Sequence, residues 1–444
     1  MNPNFRAVDL FAGIGGIRLG FEQSFKDDIK FVYSNEIDPY ACQTYLENFG
    51  ENPLGDITKV NPKEIPNFDI MLAGFPCQAF SIAGEKRGFN DIRGTLFFYL
   101  AEILRVKQPD AFLLENVKHL IHHDKGRTFQ VIKDVLSKDL NYNIHTKILN
   151  AKDFGVPQNR ERIFIIGFRN NLAFEFPKPL NTPVKIEDIL KKEVKSSFYL
   201  SHEYLSGLKK HRARHEEKGN GFGYEVKSRN GIANSIVCGG MGKERNLVYD
   251  KILLNHWKEE GDDIQLRNGE GVRKMTPREW ARLQGYPDSY KFPVSMTKAY
   301  RQLGNSVAVP VIKSIAAEMK KTLLNSIILN QPKISEEFEE VVVLLEKLYE
   351  KKEIPKTGKK FISSIHTFVN RNYLRINDIE LLLKKMELFK IISKVNKNQI
   401  QLSKKLLNIS DKRKFYITIS KLLNTPNVNI TLANFTDEHV SSKI

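Results

Sequence analysis

The sequence contains few cysteines and no long apolar run. Its three cysteines, Cys42, Cys77 and Cys238, lie far apart in 444 residues and form no CxxC or Cys/His pattern. This spacing excludes a disulfide framework and a structural zinc site, so we predict no metal. No segment reaches the roughly 18 to 20 apolar residues of a membrane-spanning helix, and the first residues lack the layout of a secretion signal. We therefore expect a cytoplasmic protein without a membrane partner.

The charge of the chain is strongly one-sided. It has 69 Lys and Arg against 52 Asp and Glu, which leaves a net charge of +17 at neutral pH. This excess makes a polyanion the expected large partner, and nucleic acid is the first candidate. The alternative is a solvated basic surface that binds no polyanion. The length of the chain predicts two to three domains.

The first third of the chain alternates short apolar runs with amphipathic stretches. Runs short enough for buried parallel strands lie at residues 6–11, 31–33, 68–73, 111–114 and 162–167. Helical patterns lie at residues 17–25, 39–48 and 96–107. This alternation predicts an α/β fold with a doubly wound, mostly parallel sheet. Ligands of such sheets bind at the carboxyl ends of the strands, so we expect the functional site there.

The rest of the sequence changes in composition twice. From about residue 177 to residue 271 it is polar and Gly-rich, with a basic, His-containing run at 209–215. Helical patterns return at 277–285 and 307–324, and a Lys- and Asn-rich stretch follows from residue 326. That last stretch has 21 Lys and Arg against 13 Asp and Glu. We therefore predict four parts, at residues 1–185, 186–275, 276–325 and 326–444.

A glycine-rich turn follows the first predicted strand, in the sequence Asp9-Leu10-Phe11-Ala12-Gly13-Ile14-Gly15-Gly16. Its glycines allow backbone N–H groups to approach a ligand closely. Similar turns also bind dinucleotides or phosphates, or only pack a strand against a helix. Glu36 ends the next strand about twenty residues further on, where a ribose diol needs a carboxylate acceptor. Asp56 lies where it could accept from an adenine amino group, and the absence of a Walker lysine disfavours phosphate binding.

Two further strand ends have side chains suited to catalysis. Cys77 follows the strand predicted at 68–73, and Glu115 ends the strand predicted at 111–114. A lone cysteine is usually an inert buried side chain, but this one lies where a thiolate nucleophile is expected. Arg160 and Arg162 are two positions apart just before a strand, so extended backbone would place both side chains on the same face of the sheet. Their alternative role is a surface ion-pair ladder.

In combination, these residues resemble the motif blocks of the bacterial cytosine-5 DNA methyltransferases of the type II restriction-modification kind. The blocks are, in chain order, DLFAGIGG, NEID, GDI, GFPCQAFSIAG, RGTLFF, LLENV, GVPQNRERIFIIG, RKMTPREWARLQGYPDSY and QLGNSV. They cover residues 5 to about 185 and 272 to about 320. Any one block is weak evidence, but chance matches would not keep both the order and the spacing.

The resemblance implies a Rossmann-like, S-adenosylmethionine-dependent methyltransferase that acts on double-stranded DNA. Cys77 would add as a thiolate to carbon 6 of a flipped-out cytosine, which makes carbon 5 able to attack the methyl group. Glu115 would hold or protonate the ring nitrogen, while Arg160 and Arg162 would line the pocket. The cofactor contacts that carry over are Phe11, Gly13, Gly15, Glu36, Ile37, Asp56, Pro76, Leu96 and Asn305.

The resemblance also assigns roles to the parts of the chain. Residues 1–185 would form the catalytic and cofactor-binding domain, 186–275 a smaller, irregular target recognition domain, and 276–325 the hinge and return to the catalytic domain. The mainly helical extension, residues 326–444, lies outside the resemblance.

Candidate DNA contacts come from two places. Gln78 and Ser81 belong to the block that matches a mobile loop closing over DNA. Family members usually have a Thr followed by an aliphatic residue in the recognition domain, and we place Ser235 and Ile236 there. The flanking basic residues that could read guanine edges are Arg229, Lys243 and Arg245. Cys238 has no acid nearby in sequence, so we expect it to be a small packed residue rather than a second nucleophile.

The C-terminal extension has its own pattern. Helical spacing at 361–369 and 378–389, followed by a strand pair at 391–402, suggests a winged helix-turn-helix. The alternative is a basic helical extension that packs on the catalytic domain or on a partner.

Three functions remain open at this point: a DNA methyltransferase, a related enzyme that acts on RNA, and a DNA-binding regulator. RNA members of the family generally lack a long recognition region, which favours DNA. The regulator depends on the extension alone, whereas the retained Cys77 and Glu115 favour an active enzyme. We expect a monomer that protects host DNA from a cognate restriction endonuclease, with an orphan methyltransferase as the alternative.

Overall fold

The computed structural model describes residues 5–76, 96–180, 182–221, 223–239, 242–250, 268–329, 392–396 and 399–402. Gln78 and Ser81, like Cys77, lie outside these residues. The chain divides into two units, residues 1–322 and 323–444. The central sheet and the candidate site belong to the first unit.

Six strands form the central sheet. They are β1 (Phe5–Leu10), β2 (Ile29–Asn35), β3 (Ile70–Gly74), β4 (Ala111–Val117), β5 (Asn143–Asn150) and, after the two-residue strand β6 (Gln158–Asn159), β7 (Glu161–Phe168). Their order is β2-β1-β3-β4-β7-β5. β1 to β4 are parallel, and β7 is antiparallel to both of its neighbours. The predicted mostly parallel sheet is confirmed, and all five predicted strands belong to it.

The edge strand β5 was not predicted. It contains no apolar run, and Leu149 is its one buried residue, so apolar periodicity does not mark it. The inner strands differ, because both of their faces are covered. Val8, Leu72 and Leu113 are all 0% exposed, which explains the continuous apolar runs that predicted these strands.

The α-helices described before residue 186 are α1 (Gly16–Phe25), α2 (Pro39–Phe49), α3 (Leu96–Lys107) and α4 (Arg127–Asp134). The first three confirm the predictions at 17–25, 39–48 and 96–107, whereas α4 was not predicted. Asp38 caps α2, because its carboxylate accepts from the backbone N–H of Tyr40 at 2.8 Å, and Pro39 occupies the first helical position. None of the described helices is long and apolar enough to cross a membrane.

The strand register brings the candidate residues to one edge of the sheet. Leu10 pairs with Ala73 across β1 and β3, and Gly74 pairs with Glu115 across β3 and β4. The glycine-rich loop after β1, the residues after β3 and Glu115 therefore lie at the carboxyl ends of three adjacent parallel strands.

Residues 186–275 contain α5 (His202–Glu216) and the short strands β8 (Val226–Lys227), β9 (Ala233–Asn234), β10 (Leu247–Tyr249) and β11 (Val272–Lys274). β11, β10 and β8 form a small sheet around a core of Leu200, Leu205, Leu208, Leu247 and Val272. β9 pairs in parallel with β6 instead. The sequence did not predict α5, because Leu205 and Leu208 are its two buried residues and it lacks a wide apolar stripe.

The chain then continues with α6 (Pro277–Leu283), α7 (Met296–Asn305) and α8 (Val309–Leu329). α6 and α8 confirm the helical patterns at 277–285 and 307–324, while α7 was not predicted. A buried ion-pair cluster links α6 to the residues before it. Arg273 donates to Asp250 at 2.9 Å and to both carboxylate oxygens of Glu279 at 2.9 Å. Removal of one partner from a buried cluster of this kind lowers the free energy of unfolding by about 3 to 5 kcal/mol.

Beyond the end of α8, the described residues of the second unit form an antiparallel hairpin of β12 (Ile392–Asn396) and β13 (Gln399–Leu402). It confirms the strand pair predicted at 391–402. The helices predicted at 361–369 and 378–389 lie outside the described residues.

Candidate active site

A cavity of about 850 Å³ opens at the carboxyl ends of the parallel strands. Its walls come from the loop after β1, the ends of β2, β3 and β4, the helix α7, and residues 237–238 of the recognition region. The volume lies in the range typical of sites for small molecules and cofactors.

One wall contains a carboxylate that backbone N–H groups hold in place. The Oε2 of Glu36 accepts from the N–H of Gly13 at 2.8 Å, and its Oε1 accepts from the N–H groups of Ile37 at 2.9 Å and Asp38 at 2.8 Å. A carboxylate offers about four lone-pair sites, so one remains for a further donor such as a ribose hydroxyl. A Cβ at Gly13 would meet nothing within 4 Å, which leaves open space beside this carboxylate.

Two apolar side chains and a second carboxylate line the same cavity. Ile37 is 64% exposed, and Phe11 has a φ of 52°, which bulky residues rarely adopt. Such a backbone conformation costs about 1 to 3 kcal/mol, so it points to a functional constraint on the ring. Thr58 donates to Asp56 through its hydroxyl at 2.7 Å and its N–H at 3.0 Å, which lowers the pKa of Asp56 and favours its charged form.

The structure brings most of the predicted cofactor residues together. Those that line the cavity are Phe11, Gly13, Glu36, Ile37, Asp56, Pro76, Leu96 and Asn305. Gly15 is not among the described residues that line it. It adopts a φ of 74° at the start of α1, and a Cβ there would collide with the ring of Phe49. Its observed role is therefore to allow this turn and close helix packing.

Glu115 is 8% exposed at the end of β4, and the Nε of Arg162 lies 3.1 Å from its Oε1. Burial raises the pKa of Glu115 above its usual value, and the charges of Arg162 and Arg160 offset part of this rise. Such a carboxyl group can hold or share a proton with a substrate and still receive a donor from Arg162.

Arg160 lines the same cavity, as the alternating positions of the two arginines predict. Its partners, however, are oxygens of two other segments: Ser235 Oγ and Ile236 O, and Gly304 O and Ser306 O. Arg162 therefore contacts the acidic residue, while Arg160 joins distant parts of the chain.

The two described cysteines differ in environment. Cys42 is buried, and its Sγ donates to the carbonyl of Glu36 at 3.4 Å. Burial raises its thiol pKa to about 12, which disfavours the nucleophilic thiolate. Cys238 is exposed and lines the cavity, so the expectation of a small packed residue was wrong. The reason lies in the fold, because the β6–β9 pairing brings its segment to the sheet edge. Pro76, which directly precedes Cys77, also lines the cavity.

The predicted DNA contacts occupy different environments. Ile236 is 0% exposed in a hydrophobic core, so its side chain is not available to DNA here, and its neighbour Val237 is 45% exposed instead. Ser235 accepts from Arg160 at 3.2 Å. Among the remaining candidates, the guanidinium of Arg229 lies 3.7 Å from the carboxylate of Glu187 and 3.8 Å from that of Asp250. The ammonium of Lys243 lies 4.3 Å from the ring centre of Tyr300. Arg245 is exposed.

Besides Asn305, α7 contributes residues to the cavity that the sequence did not predict. Lys298, Arg301 and Gln302 line the cavity from the same face of this helix. The spacing of residues 298, 301, 302 and 305 is helical and could have indicated a shared face. Among the residues that the structure describes, no group of three His, Cys, Asp or Glu side chains could hold a metal ion.

Comparison with known proteins identifies the family of the chain. Residues 5–321 match the family model of the C-5 cytosine-specific DNA methylases. The chain is 53% identical over 335 residues to the type II methyltransferase M.HpaII of Haemophilus parainfluenzae, covering 73% of this chain and 92% of that protein. It is 47% identical over 327 residues to the type II methyltransferase M.SsoII of Shigella sonnei, covering 72% and 82%.

Solved structures show the same fold. A mutant of the DNMT2 of Spodoptera frugiperda aligns with a TM-score of 0.55 at 25% identity, covering 72% of this chain and 99% of that one. The Dnmt2 methyltransferase of S. pombe aligns with a TM-score of 0.56 at 20% identity, covering 72% and 99%. The family model and the similar relatives confirm the resemblance seen in the motif blocks, so the chain belongs to the C-5 cytosine-specific DNA methylases and is a DNA cytosine-5 methyltransferase.

Proposed function

We propose that the chain transfers a methyl group from S-adenosylmethionine to carbon 5 of a flipped-out cytosine within a short, specific double-stranded DNA sequence. The observation that carries this proposal is a single cavity shared by two sets of residues. One set is the carboxylate and backbone around Glu36, and the other is the Glu115–Arg162 pair with Pro76, the residue before Cys77.

The cavity fits an adenosine-containing cofactor. Glu36 would accept from the ribose hydroxyls, Asp56 from the adenine amino group, and Phe11 and Ile37 would contact the faces of the adenine ring. Asn305 would lie near the methionine end. When bound, S-adenosylmethionine supplies an electrophilic methyl group on its sulfonium. Glu36, Asp56 and the two apolar side chains would bind and orient it.

Cys77 would act as the nucleophile. Its thiolate forms a bond to carbon 6. The electron pair of the 5,6 double bond shifts toward carbon 4 and that of the 3,4 double bond moves onto ring nitrogen 3, so that carbon 5 becomes the nucleophilic end of an enamine. Glu115 would share its proton with the ring nitrogen where charge develops, and Arg162 would keep Glu115 in place. After methyl transfer, the proton on carbon 5 passes to a water molecule, and the electron pair of that C–H bond forms the 5,6 double bond again as the bond between carbon 6 and sulfur breaks. The ring nitrogen returns its proton to Glu115, and Cys77 leaves as a thiolate.

The reaction requires the base to leave the duplex, which costs a few kcal/mol. The net charge of +17 supports binding to the DNA backbone, which offsets this cost. We propose that residues 1–185 and 276–325 form the catalytic domain and that residues 186–275 read the sequence. The relatives named type II methyltransferases support a role in protecting host DNA from a cognate endonuclease.

The test is to map 5-methylcytosine in DNA from cells that express the chain and lack other cytosine methyltransferases. We expect modification at one cytosine of a short recurring sequence, and none with Cys77→Ser. RNA from the same cells serves as a second substrate. Methylation of RNA without methylation of DNA would contradict the proposal, as would DNA methylation without a sequence preference.

A further inference from the structure

Residues 237–238 of the recognition region form one wall of the cavity, and residues 235–236 directly precede them. Val237 and Cys238 line it and are exposed, whereas Ile236 points into a core and is 0% exposed. This segment follows β9, whose pairing with β6 sets Ala233 opposite Gln158. A part of the region proposed to read DNA therefore also shapes the site proposed to modify it.

Arg160 holds this wall from one side. Its side chain is 3% exposed, and its Nη1 donates to Ser235 Oγ at 3.2 Å and to Ile236 O at 2.8 Å. Its Nη2 donates to Gly304 O at 3.2 Å and to Ser306 O, at the end of α7. The planar, forked guanidinium is thus shared between the recognition segment and the return segment.

Two buried glutamines extend the junction. Gln158, 0% exposed, accepts from the N–H of Ile236 at 3.0 Å and donates to the carbonyl of Leu283 at 2.9 Å. Gln284, also 0% exposed, donates to the carbonyl of Leu303 at 3.0 Å. Buried polar groups that are satisfied in this way fix one arrangement, because any displacement leaves donors unpaired.

α7 holds the wall from the other side. A Cβ at Gly304 would lie 2.5 Å from the backbone N of Cys238 and 2.7 Å from the carbonyl carbon of Val237. The absence of a side chain at residue 304 is therefore what allows the recognition segment to approach α7 so closely.

We propose that Arg160 is a positioning residue that couples sequence reading by the recognition region to the shape of the catalytic cavity. Because residues 237–238 are part of the cavity wall, DNA contacts that move residues 235–238 also move this wall. The guanidinium of Arg160 passes the movement on to α7. The preferred sequence thereby sets the wall in its productive position, and other sequences leave it displaced. The inference builds on the proposed function and adds a step by which recognition controls methylation.

The first test replaces Arg160 by lysine. Arg160→Lys keeps the charge, but one ammonium cannot reach both segments as the fork does. Arg169→Lys is the matched control, because Arg169 directly follows β7 and pairs with Asp110 at the surface. The measurements are 5-methylcytosine mapping on plasmid DNA, the Kd for S-adenosylhomocysteine, and Tm. For Arg160→Lys we expect methylation at sites that differ from the preferred sequence by one base pair to rise at least tenfold relative to methylation at preferred sites. We expect the Kd for S-adenosylhomocysteine to change less than twofold.

The second test moves the wall without changing Arg160. Gly304→Ala places a methyl group against the backbone of residues 237–238, and we expect the same loss of site preference. For a variant too slow to map, the ratio of its Kd values for duplexes with the preferred and the altered site replaces the mapping. A rate or Tm that falls in both variants with the site preference unchanged overturns the inference, because Arg160 would then be only structural or directly catalytic. A wild-type protein that methylates no cytosine in DNA overturns the proposed function, and this inference with it.

Discussion

Replacement of Glu36 by glutamine tests the cofactor site. The carboxylate accepts from three backbone N–H groups, those of Gly13, Ile37 and Asp38, at 2.8 to 2.9 Å. In Glu36→Gln, an NH₂ group must face one of these donors, and the charge that strengthens a hydrogen bond from a ribose hydroxyl is lost. A hydrogen bond to a charged group contributes about 1.5 to 3 kcal/mol. We therefore expect the Kd for S-adenosylhomocysteine to rise about tenfold to hundredfold.

The assay is isothermal titration calorimetry with S-adenosylhomocysteine and with its analogue that lacks both ribose hydroxyls. The control variant is Glu47→Gln, an exposed residue paired with Lys291 at 2.8 Å, for which we expect a Kd within twofold of the wild type. The analogue should lose much less affinity in Glu36→Gln than the parent ligand does. An equal loss for both ligands, or no loss for either, would refute the assignment of Glu36 to the ribose.

Three further predictions concern stability, specificity and the C-terminal extension. Burial raises the pKa of Asp9 well above its usual value, so the folded state retains a proton that the unfolded state releases, and stability falls as pH rises from about 4 toward the raised pKa. Asp9→Asn has no carboxyl group to titrate, so its free energy of unfolding relative to that of the wild type should increase with pH. Urea titrations at several pH values measure this difference, and a difference that does not change with pH would contradict the prediction. Exchange of residues 186–275 for those of a relative with another specificity should move the methylated site and leave cofactor affinity nearly unchanged; an unmoved site would show that other residues read the sequence. Truncation after Leu329 removes a net charge of +8. If the extension contacts DNA, the slope of log K against log salt should flatten; an unchanged slope with a lower Tm would indicate a packing extension instead.

The sequence predicts those parts of the fold whose signal is local. β1, β3 and β4 are covered on both faces, so their apolar runs identify them. β5 and α7 have weaker local signals, and tertiary packing determines them. α7 matters most for the site, since it supplies Arg301 and Gln302 to the cavity wall.

For the site, strand ends were sufficient to bring Glu36 and Glu115 to one edge of the sheet, because parallel strands share a carboxyl edge. Asp56 lies before a short helical turn rather than at the end of a strand, so the strand pattern alone did not place it. The hydrogen-bond partners of Arg160 could not be predicted, since they lie 75 to 146 residues away along the chain. The same holds for Cys238, whose exposure at the cavity depends on the β6–β9 pairing. Long-range contacts between the recognition region and the catalytic domain have no signature in local spacing.

The most direct test of the central claim is to trap the covalent intermediate. Duplex DNA with 5-fluorocytosine at the mapped target cannot release a proton from carbon 5, so the thiolate stays attached after methyl transfer. We predict a denaturation-resistant one-to-one adduct with wild-type protein and with Cys42→Ser and Cys238→Ser, and none with Cys77→Ser. Because Cys238 also lines the cavity, it is the competing nucleophile. An adduct that persists in Cys77→Ser, or that maps to Cys238, would contradict the account.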